Sequence, residues 1–228
     1  MYIEHKIIIM NQDTTQWLRN YTPGFFMGLS RGFMSHMFEI KKINSQLQYN
    51  GEYKMFKNLH LTIIKSIVER TTQFGIYNQY KDKGGEFYSS IITSFITVPY
   101  TLMLLKHNFN TNKVNLKITT KAGVLLAITT KSFIGSSIFL NSYDYAIKYQ
   151  INEYVISMCS TSVILCITYP VDTIVNRYLA DEISTLKFKK IYSGIKYPLI
   201  KSYLNTVIGL YVYQKVSSYM KDINKSNV

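Results

Sequence analysis

One skeleton occurs three times along the chain and constrains its fold more than any other feature. Lys65-Ser66 precedes Tyr77, Lys131-Ser132 precedes Tyr143, and Lys201-Ser202 precedes Tyr213. Each lysine stands twelve residues before its tyrosine, and the copies are 66 and 70 residues apart, a period that 228 residues fit three times. Spacing of this kind is an internal repeat. Twelve residues of helix rise roughly 18 Å, so a tyrosine near a helix end places its lysine about half a bilayer deeper. Three copies bring three such lysines to one level.

A net charge of +13 fits an anionic partner: nucleic acid, an anionic membrane or an anionic solute. Mean hydropathy close to zero leaves room for a soluble, basic, helical protein. Against that stand six apolar stretches of transmembrane length, each interrupted by a few polar residues. They run from about Pro23 to Gln46, Asn58 to Lys81, Phe87 to Lys106, Gly123 to Lys148, Tyr154 to Arg177 and Tyr197 to Tyr219. The expectation is an all-α membrane protein: six transmembrane helices in three pseudo-threefold repeats of two helices around a wet central cavity. Residues 1–20 read as an N-terminal tail, followed by repeats at 21–84, 85–150 and 151–228.

Within the first span Gly24, Gly28 and Gly32 strip one helix face of side chains and favour close helix approach. Pro99 and Pro170 fall inside the third and fifth spans and predict kinks. Lysines gather in the links after spans one, three and five, which places those links on one side of the membrane and both termini on the other. Cys159 and Cys166, seven apart in an apolar stretch, read as packing residues. No signal peptide or transit peptide is recognisable, so any targeting would be internal. The histidines are scattered, no phosphate-cradling glycine loop is visible, and no metal or cofactor is expected.

A lysine at mid-membrane is costly unless it meets water, a counter-charge or a ligand. Lys65, Lys131 and Lys201 at one depth, with few acids nearby, would form a basic chamber that concentrates an anion, with Ser132 and its equivalents as added hydrogen-bonding groups. The competing reading has these lysines snorkelling or lying in loops.

The stretch Tyr169-Pro170-Val171-Asp172-Thr173-Ile174-Val175-Asn176-Arg177 resembles the signature of the mitochondrial carrier family, Pro-x-Asp/Glu-x-x-Lys/Arg at the end of each odd-numbered helix. The run Ile191 to Pro198 before Lys201 is similar to that family's aromatic-basic-glycine motif, and Met55-Phe56-Lys57-Asn58 stands likewise before Lys65. In the first repeat Met37 replaces the proline while Glu39, Lys42 and Gln46 match. In the second Pro99 matches, but Thr101 and Leu104 replace acid and base. In the third Pro170 and Asp172 match, and Val175 replaces the base. The resemblance implies a matrix gate of Glu39, Lys42, Asp172 and Gln46 in which one whole ion pair, Asp172 with Lys42, survives. It implies a cytoplasmic gate of Tyr77, Lys81, Tyr143, Asp144, Tyr213 and Gln214 with no complete ion pair. Short intervals between the odd helices and Lys65, Lys131 and Lys201 imply little room for the family's surface helices.

The function so implied is alternating-access transport of an anionic metabolite, nucleotide first and phosphate or a carboxylate next, by a monomer in the mitochondrial inner membrane among lipids that include cardiolipin. The Asn, Ile, Lys and Tyr bias is that of an AT-rich genome, and a virus-encoded carrier would act in the host mitochondrion. A transport-inactive, carrier-like membrane adaptor is the second reading, a soluble nucleic-acid binder the third, and an enzyme the least favoured.

Overall fold

The computed structural model describes residues 2–47, 58–111, 122–179 and 191–226. They form six long helices: α1 (Tyr2–Leu47), α2 (Leu59–Tyr80), α3 (Gly85–Thr111), α4 (Ala122–Lys148), α5 (Glu153–Leu179) and α6 (Lys196–Ser226). A 3-10 turn, Lys81–Lys83, joins α2 to α3, and no strand occurs among the described residues. Gly84 ends that turn at φ 79, a left-handed conformation that costs glycine little. Of the lysine-rich links, residues 48–57, 112–121 and 180–190, and the surface-helix question with them, lie outside the described residues, whereas Lys196, expected in the third link, opens α6.

The first helix corrects one expectation. It does not begin near Pro23 but at Tyr2, and carries the proline, buried, in its interior. Residues 2–22 contain neither glycine nor proline, so no strong helix breaker precedes Pro23. What was read as a tail is therefore the first part of α1. Pro99 and Pro170 also sit inside continuous helices, α3 and α5.

Each helix packs on the next in the chain, and α6 returns to α1, so the six close into a ring; contact is heaviest between α1 and α2 and lightest between α5 and α6. The first junction has a simple cause. A Cβ at Gly28 would lie 2.6 Å from the Cα of Ile67, and one at Gly32 would lie 2.7 Å from the Cα of Ile63. Only helices without side chains at the crossing come this close.

On α3, α5 and α6 small polar residues turn inward and apolar residues outward. On α3, Ser89, Ser90, Thr93 and Thr97 are buried while Phe95 is 66% exposed; on α5, Ser157, Thr168 and Thr173 are buried while Val155, Val163 and Ile167 face outward; on α6, Asn205 and Thr206 are buried while Leu204, Val207 and Tyr211 are not. Water-soluble proteins arrange these classes the other way. Several buried hydroxyls return their hydrogen to the carbonyl one turn back, Ser90 to Glu86 and Thr97 to Thr93, and so pack as small side chains. Cys159 and Cys166, expected to be packed, are instead exposed on α5.

Three helices, α3 over Gly85–Leu105, α4, and α5 over Glu153–Tyr178, are long and apolar enough to cross a membrane. The sequence had offered six such stretches. In α1, α2 and α6 the inward charges, Arg31, Glu39 and Lys42, then Lys65, Glu69 and Arg70, then Lys201, dilute the apolar character. Two apolar clusters fill the ring. Met27, Phe74, Tyr77, Phe139, Leu140, Tyr143, Leu210 and Tyr213 form one, and Ile43, Val98, Val124 and Ile128 form the other. Arg31 on α1 and Lys131 on α4 fall between members of the two clusters on their own helices.

Candidate functional site

The space between the clusters contains the ionisable groups. Asp172 of α5 accepts a hydrogen bond from Lys42 of α1 at 2.6 Å on Oδ2 and another from Lys131 of α4 on Oδ1. Glu39, one turn before Lys42 on α1, lies 3.7 Å from it and accepts from Lys201 of α6. The result is an alternating chain of charge, Lys131, Asp172, Lys42, Glu39, Lys201, that ties four helices together. Lys42 is shielded further by the Tyr169 ring, whose centroid is 5.9 Å away.

One turn farther along α1, the fully buried Gln46 donates to Thr173 at 3.0 Å and accepts from Asn176 at 2.6 Å. Tyr169 and Thr173 then reach the segment before α6, donating to the Ser193 carbonyl at 2.5 Å and the Ile191 carbonyl at 2.8 Å. That segment turns at Gly194, φ +80, where any Cβ would strike the Ser45 side chain.

At the other end Tyr77, Tyr143 and Tyr213, from α2, α4 and α6, meet around Phe74. Tyr77 donates to Asp144 at 2.8 Å and Tyr213 to Asn78 at 3.0 Å. Tyr143 packs edge-on against both rings, with centroids 6.4 and 6.3 Å away. Gln214 accepts from Tyr154 at 2.6 Å and donates to Glu153. Outside this layer lies a 480 Å³ vestibule with Arg19, Lys81 and Lys221 in its walls.

Two cavities, of about 220 and 120 Å³, occupy the interval between the tyrosines and the charge chain. Arg31, Lys65, Glu69 and Arg70 line both. Lys131 completes the first and Lys201 the second. Ser132, 3.2 Å from Thr97 across the α3–α4 contact, lines the larger.

Several expectations are corrected by this geometry. The three repeat lysines lie in helices and border internal space, not loops or the exterior. The few acids expected nearby are bound up with them: Lys131 and Lys201 are each held by a carboxylate. Lys65 alone of the three has no ion-pair partner among the described residues. More than one ion pair ties the odd-helix end, since Glu39 is taken by Lys201. The tyrosine end is not free of ion pairs either: Lys81 lies 4.0 Å from Asp144. The reason is common to both ends. Long lysine side chains reach carboxylates on neighbouring helices.

Sequence reasoning missed Arg31, Arg70 and Gln73. A signal for Arg31 was present: it is the only Asp, Glu, Lys or Arg between Arg19 and Glu39. A lone charge inside an apolar span marks a functional candidate. No protein-family model, curated protein or solved structure matches the chain.

Proposed function

We propose that this chain is a membrane transporter for an anionic metabolite, nucleotide first, with phosphate or a small carboxylate as the next candidates. The observation that carries the reading is the charge around the two cavities. Five cations, Arg31, Lys65, Arg70, Lys131 and Lys201, line them against two carboxylates, Glu39 and Glu69. An excess of three positive charges around these cavities attracts a multiply charged anion. The inward polar and outward apolar faces favour a ring set in a bilayer, with all six helices spanning and the three Lys–Tyr pairs related by a pseudo-threefold axis. Resemblance of the Tyr169–Arg177 stretch to the mitochondrial carrier signature is in keeping with that architecture, and under this reading the protein would act in the mitochondrial inner membrane.

Under this reading, transport couples to the charge chain through shared lysines. Lys131 and Lys201 hold the odd-helix end by binding Asp172 and Glu39, and the same two amines face the cavities. An arriving anion competes with both carboxylates for them. Its binding weakens the ties among α1, α4, α5 and α6, and that end of the ring opens; the tyrosine layer opens in the alternate step.

The test is uptake into liposomes of nucleotides, phosphate and di- and tricarboxylates, with Lys131→Ala alongside. Uptake of at least one anion that falls sharply in the variant is the expected result. Uptake indifferent to the substitution would remove the site. A second reading, a transport-inactive membrane adaptor, is favoured by Lys131 and Lys201 being satisfied internally; well-folded protein that moves none of these anions would select it.

A further inference from the structure

The charge chain uses Lys131 and Lys201 but leaves the α1–α2 side of the cavities unexplained. Arg31 is 8% exposed, yet its Nη1 has no hydrogen-bond partner. Gln73 is 1% exposed, and its Nε2 has none either. The Gln73 amide is oriented by Arg70, which donates to Oε1 and leaves Nε2 as the unpartnered donor. Arg31, Gln73 and Lys65 all line the larger cavity. Gly209 of α6 makes room for the Arg31 stem, since a Cβ there would sit 2.9 Å from Cδ and 3.1 Å from Cγ. Buried donors without acceptors are rare and costly, so a cluster of them marks a place where an acceptor belongs.

We propose that Arg31, Gln73 and Lys65 form the seat of a phosphoryl group, the ion-pairable oxygens of a phosphate ester or of free phosphate. The inference rests on the anion-transport reading and deepens it by naming the substrate class. The ligand must offer acceptors to this side of the larger cavity, because the unpartnered groups of Arg31 and Gln73 both donate. It must be anionic, because a guanidinium and an ammonium face it together. Three donor side chains, from α1 and α2, match the three free oxygens of a phosphoryl group better than the two of a carboxylate. Arg70 is not a fourth ligand in this arrangement: it is committed to Glu69 at 2.9 Å and to Gln73, and its guanidinium lies 5.5 Å from the centre of the Phe139 ring. It is a positioning residue that sets Gln73.

The experiment uses full-length protein in detergent and measures thermal stabilisation by inorganic phosphate, AMP, adenosine and succinate, for the native chain, Arg31→Met and Gln73→Glu. A ligand that binds only the folded state raises the melting temperature. Phosphate or AMP is expected to stabilise the native protein, and succinate and adenosine much less. AMP tighter than phosphate identifies the ester, and equal affinity identifies the free ion. Arg31→Met is expected to lose roughly tenfold or more in affinity. Its ligand-free melting temperature is expected to hold or rise, because an unpaired buried charge is gone. Gln73→Glu keeps the acceptor for Arg70 but sets a carboxylate against the ligand, and loses binding as well.

Succinate equal to phosphate would overturn the phosphoryl class, as would adenosine equal to AMP. Arg31→Met binding phosphate as the native protein does would overturn the seat while leaving the transport reading intact. Native protein stabilised by none of the anions would instead count against anion transport itself.

Discussion

Glu39 and Lys201 pair directly although 162 residues separate them in the chain. The bond joins the first helix to the last, and with Lys42 beside it Glu39 serves both its own helix and the ring closure. A double-mutant cycle of Glu39→Gln and Lys201→Met is expected to give a coupling of about 1–3 kcal/mol in the unfolding of detergent-solubilised protein. Additive single effects would mean that the pair does not hold the ring shut.

Asp172 serves two lysines, one on each carboxylate oxygen, whereas Lys131 has one partner. Asp172→Asn strands Lys131 and leaves Lys42 only the Glu39 carboxylate 3.7 Å away, and the expected loss is about 3–5 kcal/mol. Lys131→Ala leaves Asp172 still paired with Lys42 and costs less. Melting temperatures of the two variants check the order; a milder Asp172→Asn would refute the shared arrangement.

Gly28 of α1 and Gly123 of α4 differ in what faces them. At Gly28 a methyl group meets the Ile67 backbone, so Gly28→Ala is expected to cost about 1–3 kcal/mol. At Gly123 a methyl group meets nothing within 4 Å, and Gly123→Ala is expected to be neutral or stabilising by up to about 1 kcal/mol. Melting curves for the two proteins, recorded side by side, distinguish these outcomes.

Tyr77 gives its hydroxyl hydrogen to a carboxylate and Tyr213 gives its own to an amide oxygen. Tyr77→Phe is expected to cost about 1.5–3 kcal/mol and Tyr213→Phe about 0.5–1.5 kcal/mol. In liposomes both variants are expected to raise uptake if the layer is a barrier, Tyr77→Phe more. Unchanged uptake in both would remove the tyrosines from any gating role.

The outward apolar surface predicts that expressed protein stays in the membrane pellet after carbonate extraction. Release into the supernatant would contradict a bilayer-embedded ring and restore the soluble alternatives.

Much of the helix content was legible because apolar runs and their breakers are local properties. Gly84, at the end of the turn before α3, marked a boundary correctly. Pro23 did not, because a proline beginning a helix and one lying inside it give the same local signal, and the difference rests on what precedes it. The contact of Asp172 with Lys42 followed from residue types and their places in a borrowed pattern. The captures of Lys131 and Lys201 by carboxylates did not, since a lysine side chain can swing among several acids and only packing selects one. Gln73 was invisible for another reason: an uncharged amide in α2 carries no sequence signal until its neighbours show that one of its donors lacks a partner.

The touching backbones of α1 and α2 carry a mechanical consequence. Helices without side chains between them cannot slide past or roll over one another without colliding, so these two behave as a single welded plank. The slack in the circle lies at its lightest seam, where α5 meets α6 and a few tyrosine, threonine and serine bonds span the join. Any breathing of this barrel is concentrated there, and the arginine on the plank stays fixed while the lysine on the far stave swings away.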